Sequence, residues 1–250
     1  MGTQSCRSEA RALESIAIPL ETPLRGRLIR RYKRFLADIE TESGEVLTVH
    51  CPNPGAMTGT DRPGSAVCCS TSDNPKRKFR HTLEMIRVGR IWVGLQPLRA
   101  NQLIGRALRA DAIPELAGYG DVRPEAPAPG GSRLDFKLSK HGGDTRPAWV
   151  EVKSVTLAER DTARFPDAIT RRGLRHLETL MTLKARQERA VLLFVVQRGD
   201  CARVEAAEEI DPDYARALRA AARKGVEILA LGARVRTHEI RLERVLPVVC

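Results

Sequence analysis

Three side chains stand where phosphodiester chemistry needs them. Asp135 lies in Ser132-Arg133-Leu134-Asp135-Phe136, and Glu151 and Lys153 lie in Glu151-Val152-Lys153. Residues 133–138 and 148–155 have the alternation of strands. In the first strand Leu134, Phe136 and Leu138 point inward, and Arg133, Asp135 and Lys137 point the other way. In the second, Glu151 and Lys153 share a face. Lys140-His141-Gly142-Gly143-Asp144 reads as the turn between them. A hairpin centred on Gly143 places Asp135 opposite Glu151, with Cβ atoms roughly 5 Å apart. Two like charges so placed destabilise a sheet unless something positive sits between them, and the candidates are a divalent cation and Lys153. Mg²⁺ or Mn²⁺ suits carboxylate oxygens, polarises a phosphate and activates water. Lys153 can orient that water or offset charge on the reacting phosphate. The alternative is a surface hairpin with an ordinary Glu and Lys on its wet face.

These residues need a frame, and the chain supplies two textures. Residues 1–22 read as an extension with a weak helical pattern. From Leu24 short strands follow, at 26–31, 34–41, 45–50, 65–71, 80–88 and 91–95. Their spacing suggests a small closed barrel of the OB type over 23–97. Residues 98–250 alternate element types. They begin with an amphipathic helix at 100–112 and a Pro- and Gly-rich loop at 124–131, followed by the hairpin. A helix at 167–188, a buried strand at 190–197, a helix at 213–224 and strands at 226–231 and 238–246 complete the chain. This is an α/β sheet with helices on its faces, so the whole is a two-domain protein of mixed α+β and α/β class. On the 167–188 helix, Arg172 and His176 share a face that could reach the phosphate or cap the sheet edge. Leu174, Leu177, Leu180 and Met181 form the buried stripe.

The 250 residues carry a formal net charge of +11, which favours an anionic polymer as partner, nucleic acid before membrane. Residues 24–98 hold 13 basic and 7 acidic side chains, and residues 99–250 hold 27 and 21. The barrel region is therefore about twice as densely positive. Arg25, Arg27, Arg30, Arg31, Lys33 and Arg34 form one basic stretch, and Lys76, Arg77, Lys78 and Arg80 a second. Such a surface can grip a nucleic-acid backbone. Aromatic residues are only 4% of the chain, and Tyr32, Phe35, Phe79 and Trp92 must share the barrel between core and surface. Phosphate contacts should therefore dominate, with little base discrimination. A solvated basic face without ligand is the alternative.

No apolar run approaches the ~18 residues of a membrane span, and the N-terminus lacks a signal-type apolar core. Met1-Gly2 begins like a myristoylation site, but Cys6 stands where Ser or Thr is expected. The expectation is a cytoplasmic protein. The six cysteines (Cys6, Cys51, Cys68, Cys69, Cys201 and Cys250) form no CxxC pair and read as free thiols.

Several ordered segments resemble the sugar fermentation stimulation protein A family. They include Gly26-Arg27-Leu28-Ile29-Arg30-Arg31-Tyr32-Lys33-Arg34-Phe35, His50-Cys51-Pro52-Asn53 and Asn74-Pro75-Lys76-Arg77-Lys78. Further on come Ser132-Arg133-Leu134-Asp135-Phe136, Glu151-Val152-Lys153-Ser154-Val155, Phe165-Pro166-Asp167-Ala168, Arg172-Gly173-Leu174-Arg175-His176-Leu177, and Asp211-Pro212 with Tyr214. The resemblance implies an N-terminal OB-like domain followed by a PD-(D/E)XK nuclease-like domain. It also implies DNA binding with little sequence preference and a link to regulation of sugar use, maltose in particular. It puts Asp135, Glu151 and Lys153 at the nuclease positions and leaves Glu125 as a further carboxylate.

Two stretches depart from the family pattern. Pro54 and Ala56 stand where Thr and Ser are expected, which removes two hydroxyls near a phosphate. Leu95-Gln96-Pro97 replaces an Asn-Thr pair and puts the contact between domains in question, although Asn101 remains. Three functions compete: a DNA-binding regulator with a nuclease-type site, an active metal-dependent nuclease without a regulatory role, and a module that binds an anionic metabolite.

Overall fold

The computed structural model describes residues 12–21 and 23–250. Readings made on residues 1–11, Cys6 and the myristoylation-like start among them, lie outside the described residues. Strand β1 (Ala17–Pro19) pairs antiparallel with a strand more than 200 residues later in the chain. Leu13, Ile16, Ile18 and Leu20 are all buried in the core of the second domain. The segment read as a weakly patterned extension thus completes the edge of that domain's sheet. Its apolar spacing is mixed because the chain passes from a helical turn into a strand.

The barrel contains β2 (Leu24–Tyr32), β3 (Leu36–Thr41), β4 (Val46–His50), β5 (Ala66–Thr71) and β6 (His81–Val88), with β7 (Ile91–Gly94) added to β6. Strands run in the order β4-β3-β2-β5-β6, and a β4–β6 pairing at His50 and Thr82 closes the cylinder. Closure presses β2 against β3. A Cβ at Gly26 would lie 2.3 Å from the carbonyl oxygen of Glu40, so only glycine fits. Inward residues such as Leu28, Ile39, Val49, Val67, Leu83 and Ile86 fill the interior. Cys68 and Cys69 point into different cores, as neighbours on a strand should.

The second domain begins with helix α1 (Pro97–Arg109), with its proline in the first turn where a missing N–H costs nothing. Strands β8 (Tyr119–Pro127), β9 (Arg133–His141) and β10 (Ala148–Val155) follow, then β11 (Ala158–Glu159) and β12 (Thr162–Phe165). After helix α2 (Arg171–Ala185) come β13 (Arg189–Val196), β14 (Arg203–Ala206), helix α3 (Pro212–Arg223), β15 (Glu227–Arg236), β16 (Glu239–Val245) and β17 (Val248–Val249). The main sheet runs β1-β16-β15-β13-β10-β9-β8, with β10, β13 and β15 parallel; β11, β12, β14 and β17 form a small second sheet. Helix α1 and the N-terminal segment cover one face of the main sheet, and α2 and α3 cover the other. Both faces are dry, which is why β13 is apolar along nearly its whole length.

Several elements differ from the sequence expectation. The first half of the Pro- and Gly-rich stretch is the end of strand β8, an edge position that tolerates Pro124 and Pro127 because one side of the strand has no ladder to serve, and Pro129–Gly131 form a 3-10 turn. Helix α2 starts at Arg171, where the Thr170 hydroxyl caps the Gly173 N–H. Its buried stripe is Gly173, His176, Leu177, Leu180 and Leu183, while Leu174 and Met181 are only half-buried. No helix among the described residues is long and apolar enough to cross a membrane.

The two domains are joined by a buried ion pair. Glu84 of β6 is 1% exposed. It accepts from Arg99 of α1 at 2.7 and 3.0 Å, from Gln96 Nε2 at 2.6 Å and from Ser70 Oγ at 2.7 Å. Gln197 adds a second link. Its backbone carbonyl accepts from Gly94 N–H, and its amide donates to the Gln96 carbonyl and to Ser154 Oγ. The departure at Gln96-Pro97 therefore keeps the contact between domains and makes it with the Gln96 amide and carbonyl. Arg99→Ala leaves Glu84 charged and dry, so a loss of about 3–5 kcal/mol in urea unfolding is expected, and Glu84→Gln in the same chain should recover part of it.

Candidate active site

The register of the hairpin brings the acids together. Ala148, Trp149 and Val150 pair with Leu138, Lys137 and Phe136, and one further step sets Glu151 against Asp135. At that step the ladder stops. The Val152 N–H donates to Asp135 Oδ2 at 2.7 Å, so a side chain takes the place of a backbone acceptor. On the other side of β9, Pro124 and Ala126 pair with Phe136 and Leu134, and between them Glu125 has a left-handed φ of 50°. The sheet is therefore split around Asp135. The face of β9 also changes there, since Leu134 packs on the α2 side and Phe136 and Leu138 on the α1 side. The expectation that all three leucine and phenylalanine side chains share one face is corrected by this local twist. With both faces covered, the reading of a surface hairpin with a wet face fails as well.

Trp149, Glu151 and Lys153 alternate onto the face covered by α2, and α2 sends His176 to meet them. Glu151 is 3% exposed. Its Oε1 accepts from Lys153 Nζ at 2.6 Å and meets His176 Nδ1. Arg172 Nε donates to His176 Nε2 at 3.4 Å, which assigns the imidazole proton to Nδ1 and directs it at Glu151. Oε1 thus has two donors, while the buried Oε2 has no partner. Asn101 of α1 donates to Asp135 Oδ1 at 2.6 Å from the opposite side of the sheet. It is a positioning group that hairpin spacing does not reveal, because it comes from a helix 34 residues earlier.

The electrostatics follow from this geometry. Burial, and after it the Glu151 charge, push the Asp135 carboxyl up to about 6 against the pull of the Val152 N–H, Lys153 and Asn101. Burial also raises Glu151, but the His176 hydrogen bond and the Lys153 charge outweigh it and hold that carboxyl below its usual range. The pair is thus one acid that ionises easily and one that resists. A lone unpartnered carboxylate oxygen beside a reluctant second carboxylate fits a hard divalent cation, and Mg²⁺ asks for only one or two carboxylates from the protein. Among the described residues no three His, Cys, Asp or Glu side chains form a ready-made cage. Glu125 is Asp135's neighbour by register but is exposed.

Asp135, Glu151, Lys153, Arg172 and His176 line one cleft of about 530 Å³ between the domains. Its barrel wall is Arg34 with Asn53, Pro54 and Gly55, and its other wall runs from Phe165 to Thr170. The walls meet where Asp167 Oδ2 accepts from Met57 N–H at 3.1 Å, and a Cβ on Gly55 would lie 2.2 Å from that carboxylate.

The basic candidates separate into groups. Lys33 and Arg34 form the left-handed β2–β3 turn, and both are exposed. Arg31 is tied up within the fold, donating to the carbonyls of Arg34, Asn53, Gly55 and Ala56. Arg30 pairs with the buried Asp38 at 2.8 Å, and Arg77 donates to Thr82 Oγ1. Lys76 and Lys78 are exposed. Arg27 donates to the Gly64 carbonyl, toward the end of β2 remote from the cleft. Arg133 is exposed and is not one of the cleft's lining residues. Phe35, beside Arg34, keeps 48% of its surface exposed.

Comparison with known proteins agrees with this architecture. Residues 29–95 match the family model described as the SfsA N-terminal OB domain, and residues 98–239 match the model described as the sugar fermentation stimulation protein RE domain. A sugar fermentation stimulation protein homolog of Geobacter sulfurreducens is 47% identical over 90% of this chain and 95% of its own length. A homolog from Halorhodospira halophila is 49% identical over 89% of this chain and 93% of its own. The solved structure of Pyrococcus furiosus SfsA in complex with Ca²⁺ superposes with a TM-score of 0.85, covering 93% of this chain and 98% of that one. At 24% identity that likeness is one of fold.

The raised Asp135 carboxyl carries a stability signature. Its folded value lies above its unfolded one, so folding favours the protonated acid. The metal-free fold accordingly loses stability as pH rises from about 4 through 6 and keeps that deficit above. Asp135→Asn removes the charge. It should stabilise the metal-free protein at pH 7.5 by on the order of 2 kcal/mol, with little effect at pH 4, as read by thermal unfolding at the two pH values.

Proposed function

This chain belongs to the sugar fermentation stimulation protein family, and from that premise we propose that it binds DNA with little sequence preference and carries a divalent-metal phosphodiester site. The supporting observation is the cleft itself. A basic barrel edge forms one wall, and Asp135, Glu151 and Lys153 converge on its floor. A protein that only grips a polyanion gains nothing from two carboxylates facing the backbone; a cation between them reverses the sign of the local field. DNA binding through phosphates, without base readout, is the activity by which we propose it acts in regulation of sugar use.

Asp135 and Glu151 Oε2 would hold the cation, Mg²⁺ or Mn²⁺. The bound ion supplies charge neutralisation for the phosphate and acidifies water. The chain's own residues do the rest. Lys153, held at Glu151 with its amine in the cleft, orients the attacking water and offsets charge gathering on the phosphate oxygens. His176 and Arg172 keep Glu151 ionised and turned toward the cleft. Asn101 and the Val152 N–H hold Asp135 in place. Arg34 on the barrel wall positions the strand through its phosphates. In hydrolysis the water oxygen bonds to phosphorus and its proton passes to solvent, the bond to the leaving sugar oxygen breaks, and that oxygen takes a proton from solvent.

Two measurements test this reading. Titration calorimetry with Mn²⁺ should show binding that Glu151→Gln weakens at least 10-fold. Labelled DNA with Mg²⁺ or Mn²⁺ should be cut by the native chain, while Lys153→Ala keeps the metal and loses roughly 10²–10³ in rate. Cleavage that survives Asp135→Asn and Lys153→Ala belongs to a contaminant and removes catalysis from the proposal. Failure of the native chain to bind DNA removes the whole of it.

A further inference from the structure

A second cleft, of about 500 Å³, opens on the other side of Asp135 and is lined along α1. It shares Asp135 with the first, so the two meet at the acid. Its wall carries Gln102, Arg106 and Arg109. At 100° per residue these fall within about 60° of one another on the helix, so they form one stripe. Their partners are revealing. Arg99, at the start of α1, is committed to buried Glu84. Arg106 donates to the Ala17 carbonyl and Arg109 to the Gly105 carbonyl, and among the described residues neither has a carboxylate. Asn101 marks where α1 touches Asp135. From there Arg106 and Arg109 lie roughly 7 and 12 Å along the helix axis. Glu125, Asp135's exposed neighbour by register, also lines this cleft, and a cation on the acids would offset its charge.

The depth of the acids limits what can follow this path. Glu151 is 3% exposed at the floor of a slot. The slot's walls are tied together by the Met57–Asp167 hydrogen bond. A duplex is stiff, with a persistence length of about 50 nm, so bringing one of its phosphates down to a buried floor costs deformation of the whole helix. An unpaired strand bends freely and can lower one phosphate to the floor. We infer that the two clefts form one channel for an unpaired nucleic-acid strand, in which Arg106 and Arg109 hold the phosphates beyond the acids, on the side away from the barrel. This rests on reading the first cleft as a phosphodiester site.

The test uses the full chain and a fluorescein-labelled oligothymidylate of about 15 nucleotides. Binding is measured against NaCl in Ca²⁺, beside a duplex of equal length. The native chain should bind the single strand at least 10-fold more tightly than the duplex. Arg106→Ala with Arg109→Ala should lower the slope of log affinity against log salt by about 1.4, at about 0.7 per contact. Arg109→Glu alone, at a residue whose only described bond is within its own helix, should weaken single-strand binding at least 10-fold, and Arg106→Lys with Arg109→Lys should keep the native slope. Unchanged slope and affinity in these variants, while Lys33→Ala with Arg34→Ala flattens the slope, would take α1 off the path and leave the proposed function standing. Duplex binding as tight as single-strand binding would overturn the claim of an unpaired strand. Absence of binding to either would overturn the proposed function itself.

Discussion

Two carboxylates that repel each other are held across one break in a sheet, and much of the second domain is arranged around that break. Backbone pairing between β9 and β10 ends one residue short of Asp135 and Glu151. The hydrogen bond lost there is replaced by the Val152 N–H donating to Asp135. The opening exposes Asp135 to clefts on both sides, which a continuous ladder would have sealed. The surrounding groups divide the cost. Lys153 and His176 stabilise the charge on Glu151, while burial leaves Asp135 reluctant to ionise. Such a pair is poorly satisfied alone and well satisfied by a cation, as expected where pKa values are driven apart for function.

The barrel contributes its edge to this site through contacts that leave little freedom. Arg31 gathers the carbonyls of the 53–56 loop, and Gly55 lets the Asp167 carboxylate approach closer than any side chain would permit. Pro54 itself lines the cleft, so the absence of a hydroxyl there is felt in the cleft wall, while the loop's backbone holds Arg31 and Asp167. Arg31 is one of the basic stretch read as gripping phosphates, yet its guanidinium is spent on holding the wall. Arg34, three residues on, makes one long bond, to the Pro54 carbonyl at 3.4 Å, and lines the cleft. Residues of one type in one basic run thus divide into structural and surface roles, and only the turn geometry separates them.

The link between domains follows the same logic. Glu84 and Arg99 are a buried pair whose loss on either side is costly, and Gln96, Gln197 and Ser154 extend it toward β10. This line of polar contacts runs from the barrel to the strand that bears Glu151 and Lys153. The floor and the barrel wall of the cleft are therefore parts of one scaffold, and the barrel wall has a defined position relative to the acids.

Much of this could be read from residue order alone, because it depends on local periodicity. Alternation and the Gly142-Gly143 turn determined the hairpin register, and with it the meeting of Asp135 and Glu151. Period-two runs separated by turn residues announced the barrel, and i, i+4 spacing put Arg172 and His176 on one face. What the chain order could not reveal was decided by contacts between residues far apart in it. Leu13 to Leu20 looked unpatterned because they pack against β16, more than 200 residues away. Strand β8 looked like a loop because its prolines are tolerated only at a sheet edge. Asn101, the single long bond of Arg34 against the four carbonyls held by Arg31, and the second cleft along α1 all arise when elements from different parts of the chain close on each other. Local spacing says which side chains can share a face; only tertiary packing says which faces meet, which cations are already neutralised and where clefts open.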